Sequence, residues 1–411
     1  MNILFLTLLN FNSIKEHNIY TDFLREFVRQ KHSVYVVSPV ERKTGEFTRL
    51  KQEKNVTILK LKIGNIQKTN LIEKGISTLT LEHIFIYGIK KYFSDVKFDL
   101  VIYSTPPITL QKAVEYIKKR DSAITYLLLK DIFPQNAVDI KILNKKGIQG
   151  ILYFYFRKKE ERLYKTSDYI GCMSPANVKY LLEHNPYLNK DKVHVSPNCI
   201  EVKENDISES QKQIIREKYK IPLNVKTFIY GGNLGKPQGV PFIIECLKAN
   251  ENKKDRFFII CGNGTEFGQL KRYVDKQNPN NVLLLNGLQK REYDDLVKAC
   301  DVGLIFLDYR FTIPNFPSRL LSYMEAELPV LACTDPNTDI GNIISHNEFG
   351  WKCFSNDVGS FNDIINLIIN MQKNEITKLG KNSRKFLLNN YTTEVVYVSV
   401  FRGFINDNKT G

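Results

Sequence analysis

Short, continuously apolar strands alternate with amphipathic helices twice along this chain, and that alternation restricts its fold more than any other feature. ILFLTLL (3–9) reads as a strand, IYTDFLREFVRQ (19–30) as a helix and SVYVVSP (33–39) as the next strand. NVTILKLKI (55–63), DLVIYSTPP (99–107), AITYLLLKD (123–131) and YIGCMSP (169–175) continue the series. Strands without polar alternation belong in parallel sheets covered by helices on both faces. They end in polar or proline turns, where doubly wound sheets place ligands. After VHVSPNCIEV (193–202) comes the charged, turn-rich KENDISESQKQ, which sets a domain boundary within 203–222. The second alternation runs through KTFIYGGN (226–233), RFFIICGNG (256–264), NVLLLNGL (281–288), EYDDLVKACDVGLIFL (292–307) and LPVLACTD (328–335). Residues 375–411 read as two helices. The expectation is two successive α/β domains of similar size, with a cleft between them.

With 411 residues the chain has room for two such domains. Its seven cysteines are scattered without CxxC pairs, which excludes a zinc or disulfide framework and suits a reducing cytoplasm. The opening MNILFLTLLN is too short for a membrane span and has no basic flank, so it reads as a buried strand rather than a signal peptide. The net charge of +15 is uneven: residues 1–200 carry +13 and residues 201–411 carry +2. Such a basic half is either a solubility device or a surface for an anionic partner.

Two glycine-rich turns follow strands of the second half. In YGGNLGKPQGV (230–240), Gly232, Asn233 and Gly235 form a tight turn that leads into a helix, and Lys236 adds a mobile cation. CGNGTE (261–266), with Gly262, repeats the form more weakly; neither turn completes a dinucleotide or Walker motif. In TIPNFPSRLLSYMEAELPVLA (312–332), Pro317 and Ser318 open a helix beside Arg319, whose planar fork suits phosphate oxygens. Lys236 and Arg319 are therefore expected to converge on a diphosphate. Asp131 closes a buried strand, where it either holds a hydroxyl of a substrate or caps a helix.

Together DLVIYSTPPIT (99–109), LLKDIFPQNAVDI (128–140), SDYIGCMSPANVKYL (167–181), VHVSPNCIE (193–201), YGGNLGKPQGV (230–240) and NFPSRLLSYMEAELPVLACTD (315–335) resemble the GT-B-fold glycosyltransferases of family 4, in their bacterial surface-polysaccharide branch. The resemblance implies two Rossmann-like domains: an acceptor-binding domain (1–203) and a nucleotide-sugar-binding domain (204–385). Residues 386–411 would pack back toward the first. It places Asn286 and Gly287 at a base-binding turn, and Asn315, Phe316, Ser318 and Ser322 along the donor. The loop NFNSIKEHN (10–18), with Asn12, Ser13 and His17, falls on the acceptor side. This chain departs from the family at Pro314 and Ser322, where two glutamates are usual, at Asn233 for an arginine and at Gln238 for a lysine. Glu325, three residues beyond Ser322, either reaches a ribose or is solvated, and Asp308, Asp335 and Asp339 are further candidates.

The segment 141–165 holds eight basic residues, two acids and a Tyr-Phe-Tyr-Phe cluster, fitting either an anionic membrane surface or an ordinary packed helix. The resulting expectation is a cytoplasmic, membrane-peripheral, retaining glycosyltransferase that moves a sugar from a UDP-type donor to a lipid-linked saccharide. No cofactor or metal is expected, since the chain has no DxD motif, and no nucleic-acid partner. A nucleotide-sugar epimerase of the same fold and a non-catalytic partner subunit are the rival readings.

Overall fold

The computed structural model describes residues 1–66, 69–204 and 207–407. They form two compact units, one of residues 1–201 with the segment from Thr393 onward, the other spanning Val202–Thr392. The division falls two residues before the expected 203, and the segment rejoining the first unit starts at 393, not 386. Residues 386–392 stay in the second unit because they finish the helix Lys373–Asn390: the Phe386 ring packs on Phe349 at 5.3 Å and on Tyr391 at 5.6 Å.

The first unit is built on eight strands. These are β1 (Asn2–Leu6), β2 (Ser33–Glu41), β3 (Arg49–Glu53), β4 (Val56–Ile63), β5 (Leu100–Ser104), β6 (Ile124–Leu129), β7 (Tyr169–Cys172) and β8 (Val193–Val195). Their order is β3-β4-β2-β1-β5-β6-β7-β8, and only the β3–β4 pair is antiparallel. Ile3, Leu4, Phe5 and Leu6 of β1 are all fully buried, as a central strand covered on both faces requires. The helix Ile19–Arg29 starts at a capping box of Asn18 and Thr21 and buries Phe23, Leu24 and Phe27. Against it lies the helix Thr393–Asp407, with Val396 and Val400 buried and Tyr397 edge-on to Phe27 at 5.0 Å. The Tyr397 hydroxyl meets His32 Nε2 at 2.8 Å.

The second unit has six parallel strands: β9 (Lys226–Gly231), β10 (Arg256–Cys261), β11 (Val282–Leu285), β12 (Val302–Phe306), β13 (Val330–Thr334) and β14 (Gly350–Phe354). Their order is β11-β10-β9-β12-β13-β14. The chain winds outward from β9 through β11, then returns to β12 and winds the other way. That reversal leaves a crevice beyond the carboxyl ends of β9 and β12, where such sheets bind ligands. The corresponding reversal in the first unit lies between β1 and β5. Among the described residues, no helix is long and apolar enough to cross a membrane.

Candidate functional site

The turns after β9, β10 and β11 are laced together by backbone hydrogen bonds. Gly232 N–H donates to Cys261 O at 2.9 Å, Leu234 N–H to Asn263 O at 2.8 Å and Gly262 N–H to Leu285 O at 2.9 Å. Gly232 and Gly262 are positions that admit only glycine. Gly232 has φ +129°, and a Cβ on Gly262 would lie 1.8 Å from the Gly232 carbonyl oxygen. The sequence therefore sets a thin backbone lattice at the switch point, with Gly232 and Asn233 exposed on it.

Arg319 reaches this lattice from the helix Arg319–Glu325. Its guanidinium carbon sits 4.2 Å above the Tyr230 ring centroid, and Nη2 would touch a Cβ on Gly232 at 3.4 Å. Nη1 is buried without a hydrogen-bond partner. Burial raises the phenols of Tyr230, Tyr293 and Tyr323, the last to about 12, so none carries a charge near neutral pH. A buried donor left unmet beside a glycine turn is costly to the fold and is what an anionic ligand satisfies.

The other predicted donor residues take varied positions. Lys236 is exposed in the short 3₁₀ turn Lys236–Gln238, and no ion pair engages its ammonium among the described residues. Gln238 Oε1 accepts from Gly235 N–H at 3.1 Å and from Asn233 Nδ2 at 3.3 Å, so these two departures brace the turn. Gly287 has φ +75° and its N–H donates to Leu285 O, while Asn286 is exposed beside it. The helix expected from Pro317 begins at Arg319; its opening bonds run from Leu320 N–H to Pro317 O and from Leu321 N–H to Ser318 O. Ser322 follows one turn later, partly buried. Asn315 O accepts from Thr338 Oγ1 at 2.6 Å while its Nδ2 is buried and unmet, and Phe316 packs on Tyr391.

The carboxylates proposed to replace the family's glutamates are engaged by protein. Glu325 accepts from Lys203 N–H at 2.9 Å, tying down the segment that enters the second unit. Burial pushes Asp308 up, but the Arg310 fork at 2.7 Å and a backbone N–H hold its carboxyl below the usual range. Asp335 Oδ1 accepts from the N–H groups of Asn337 and Thr338. Asp339 precedes the helix Ile340–His346.

In the first unit Asp131 lies just beyond β6, its two oxygens each 2.7 Å from Asn136 Nδ2. Burial raises its carboxyl to about 6, against the opposing pull of Asn136 and the Ile132 N–H. Next to it Lys130 donates to Ser196 O at 3.2 Å, and burial lowers its ammonium to about 8. The expected acceptor loop is largely filled by its own protein. Ser13 Oγ donates to Glu53 at 2.9 Å, and Asn12 O accepts from Lys51 at 2.7 Å, leaving the exposed Asn12 side chain open. His17 Nδ1 faces Arg25 Nη2 at 3.2 Å. His17, Asp22 and Glu201 have spacing that suits a metal, yet Arg25 donates to both carboxylates there. A pocket of about 170 Å³ opens at the same sheet edge, lined by Asn10, Glu41, Lys43 and Thr44.

Residues 211–386, nearly all of the second unit, match the family model described as glycosyl transferases group 1. The chain is a glycosyltransferase. "Probable glycosyltransferase WbjE" of Pseudomonas aeruginosa is 23% identical over 333 residues, 80% of each chain. Among solved structures, sucrose-phosphate synthase from Thermosynechococcus elongatus superposes with TM-score 0.77 at 12% identity over the whole of both chains. Anabaena Alr3699/HepE in complex with UDP-glucose gives 0.69 at 14% identity, covering 99% of this chain and 100% of that one. The fold of this glycosyltransferase is GT-B. Sequence reasoning missed Tyr230, Tyr293 and Tyr323 because aromatics beside apolar runs read as core. It passed over Lys130 for the acid that follows it.

Proposed function

We propose that this glycosyltransferase moves a hexose, with retention of anomeric configuration, from a UDP-linked donor to a lipid-linked saccharide during assembly of a bacterial surface polysaccharide. One observation carries the donor half of the reading: the unmet Nη1 of Arg319 against Gly232, at the switch point of the matched domain. Linked phosphates there meet Arg319 and, at the turn's edge, Lys236. As the bond from the sugar to the leaving diphosphate breaks, negative charge collects on that diphosphate, and a preorganised cation stabilises it. These side chains supply the charge without a metal. The departing phosphate helps take the acceptor's proton, and Asp131 holds the acceptor hydroxyl. The complex of Alr3699/HepE with UDP-glucose supports the choice of base.

A lipid-linked acceptor calls for a place at the inner face of the cell membrane. In the helix Gly147–Thr166, Ile148 is 88%, Ile151 73% and Phe154 64% exposed, beside the cations Lys145, Lys146 and Lys158. That combination suits an anionic bilayer, with about 1 kcal/mol of attraction per basic residue near its surface.

A thermal-shift screen of nucleotide-sugars tests the donor: UDP-sugars should raise the melting temperature by mass action, and a flat response across the panel discards the reading. The Ile148→Glu/Ile151→Glu variant tests the surface. Flotation with vesicles containing phosphatidylglycerol should fall at least fivefold; unchanged flotation removes this helix as the contact.

A further inference from the structure

Arg319 forms no ion pair among the described residues, although it is partly buried and carries an unmet nitrogen. We propose that Tyr230 is a positioning residue whose ring holds the Arg319 guanidinium against Gly232 in place of an acidic partner. Its charge then stays uncompensated until linked phosphates arrive. The inference rests on the donor reading above and names what orients that cation.

The geometry of the three surrounding tyrosines supports this. The Tyr230 hydroxyl donates to Asn233 O at 2.6 Å, which locks the ring beneath the guanidinium and ties it to the glycine turn. Tyr323 OH accepts from Gly231 N–H at 3.2 Å and donates to Leu304 O at 3.0 Å, so it clamps β9 to β12 at the switch point. Tyr293 rises from the helix Lys290–Lys298 under Gly231, where a Cβ would meet its hydroxyl at 1.9 Å. That hydroxyl lies beside Tyr323 but makes no hydrogen bond of normal geometry.

The chemistry explains why rings serve here. A carboxylate would take two guanidinium N–H groups and cancel the charge. An aromatic face attracts the cation through its quadrupole and leaves the edge N–H donors free. The cost is a partly buried cation without an anion, which weakens the empty fold and is recovered on binding. Arg319→Met should therefore melt no lower than the wild type without ligand, whereas removal of a merely structural staple lowers the melting temperature.

The test titrates UDP and inorganic pyrophosphate into the full chain by calorimetry, with circular dichroism to confirm folding. Tyr230→Leu should weaken both about fivefold to tenfold, and Tyr230→Phe, which keeps the ring, should restore affinity to within about twofold. Tyr230→Met, which fills more of the space but has no aromatic face, gives the same reading if Tyr230→Leu does not fold. A wild type that binds neither ligand removes the donor reading and this inference with it. Binding that falls in Arg319→Met but is untouched in folded Tyr230→Leu or Tyr230→Met overturns the inference alone, as does failure of Tyr230→Phe to rescue.

Discussion

At the carboxyl end of β9 the glycine turns satisfy one another through backbone bonds, and the cation beside them keeps a nitrogen unspent. At the carboxyl end of β1 the loop of residues 10–18 is met by charged side chains from β3, at the sheet edge, and from β4 inside it. Lys60, only 1% exposed, donates to Phe11 O at 3.0 Å and to Asn10, while Glu53 receives Ser13 Oγ and Ile14 N–H. Both sites sit where a doubly wound sheet reverses direction, yet one is filled by its own protein and the other is left wanting an anion. Position in a sheet thus marks where a ligand can bind; unmet hydrogen-bonding groups mark where one is needed.

The contrast is broken most severely at Arg319. Arg319→Met should lower kcat/KM by about two to three orders of magnitude and abolish thermal stabilisation by UDP, as loss of a charge-stabilising donor does elsewhere. A variant with wild-type turnover would mean that the two switch points do not differ in function. Asp131→Asn should cost about a hundredfold in kcat/KM and erase the rise in rate with a midpoint near pH 6. Stability should move the other way. The folded carboxyl titrates above its unfolded value, so ionising it as pH rises through about 6 costs stability, and the amide variant should be the more stable above that pH. The smallest effect belongs to the filled loop. Burial pushes Glu53 up, but Lys51, Ser13 and Ile14 outweigh it and hold the carboxyl below its usual value. Its contribution is present above the unfolded pKa and fades as pH falls through the folded one. Glu53→Gln should lose about 1 kcal/mol in urea unfolding at pH 7, less near pH 3, with UDP affinity unchanged.

Much of this frame was legible because buried parallel strands leave unbroken apolar runs. β3 escaped notice since RLKQE alternates nothing and lies almost wholly exposed at the sheet edge. β14 escaped for the same reason, being half-open to solvent at the border of the second unit's sheet. In the site, the glycines and Arg319 announced themselves, since few other residues do what they do. The partner of Glu325 could not be read, because helical spacing speaks only of neighbours, whereas Lys203 lies 122 residues away in sequence. Tyr230 beneath Arg319 was silent for a related reason: whether a ring fills a core or carries a cation depends on what the fold sets over it.

The helix Thr393–Asp407 completes the hydrophobic layer on the first sheet, with Val396 and Val400 buried among residues such as Phe23 and Phe27. A ribosome making this chain releases every strand of that sheet roughly two hundred residues before the helix that covers it. The second unit is synthesised whole in the interval, so the part begun first is the part finished last, and a nascent chain stalled before residue 393 carries an exposed greasy flank that chaperones can recognise.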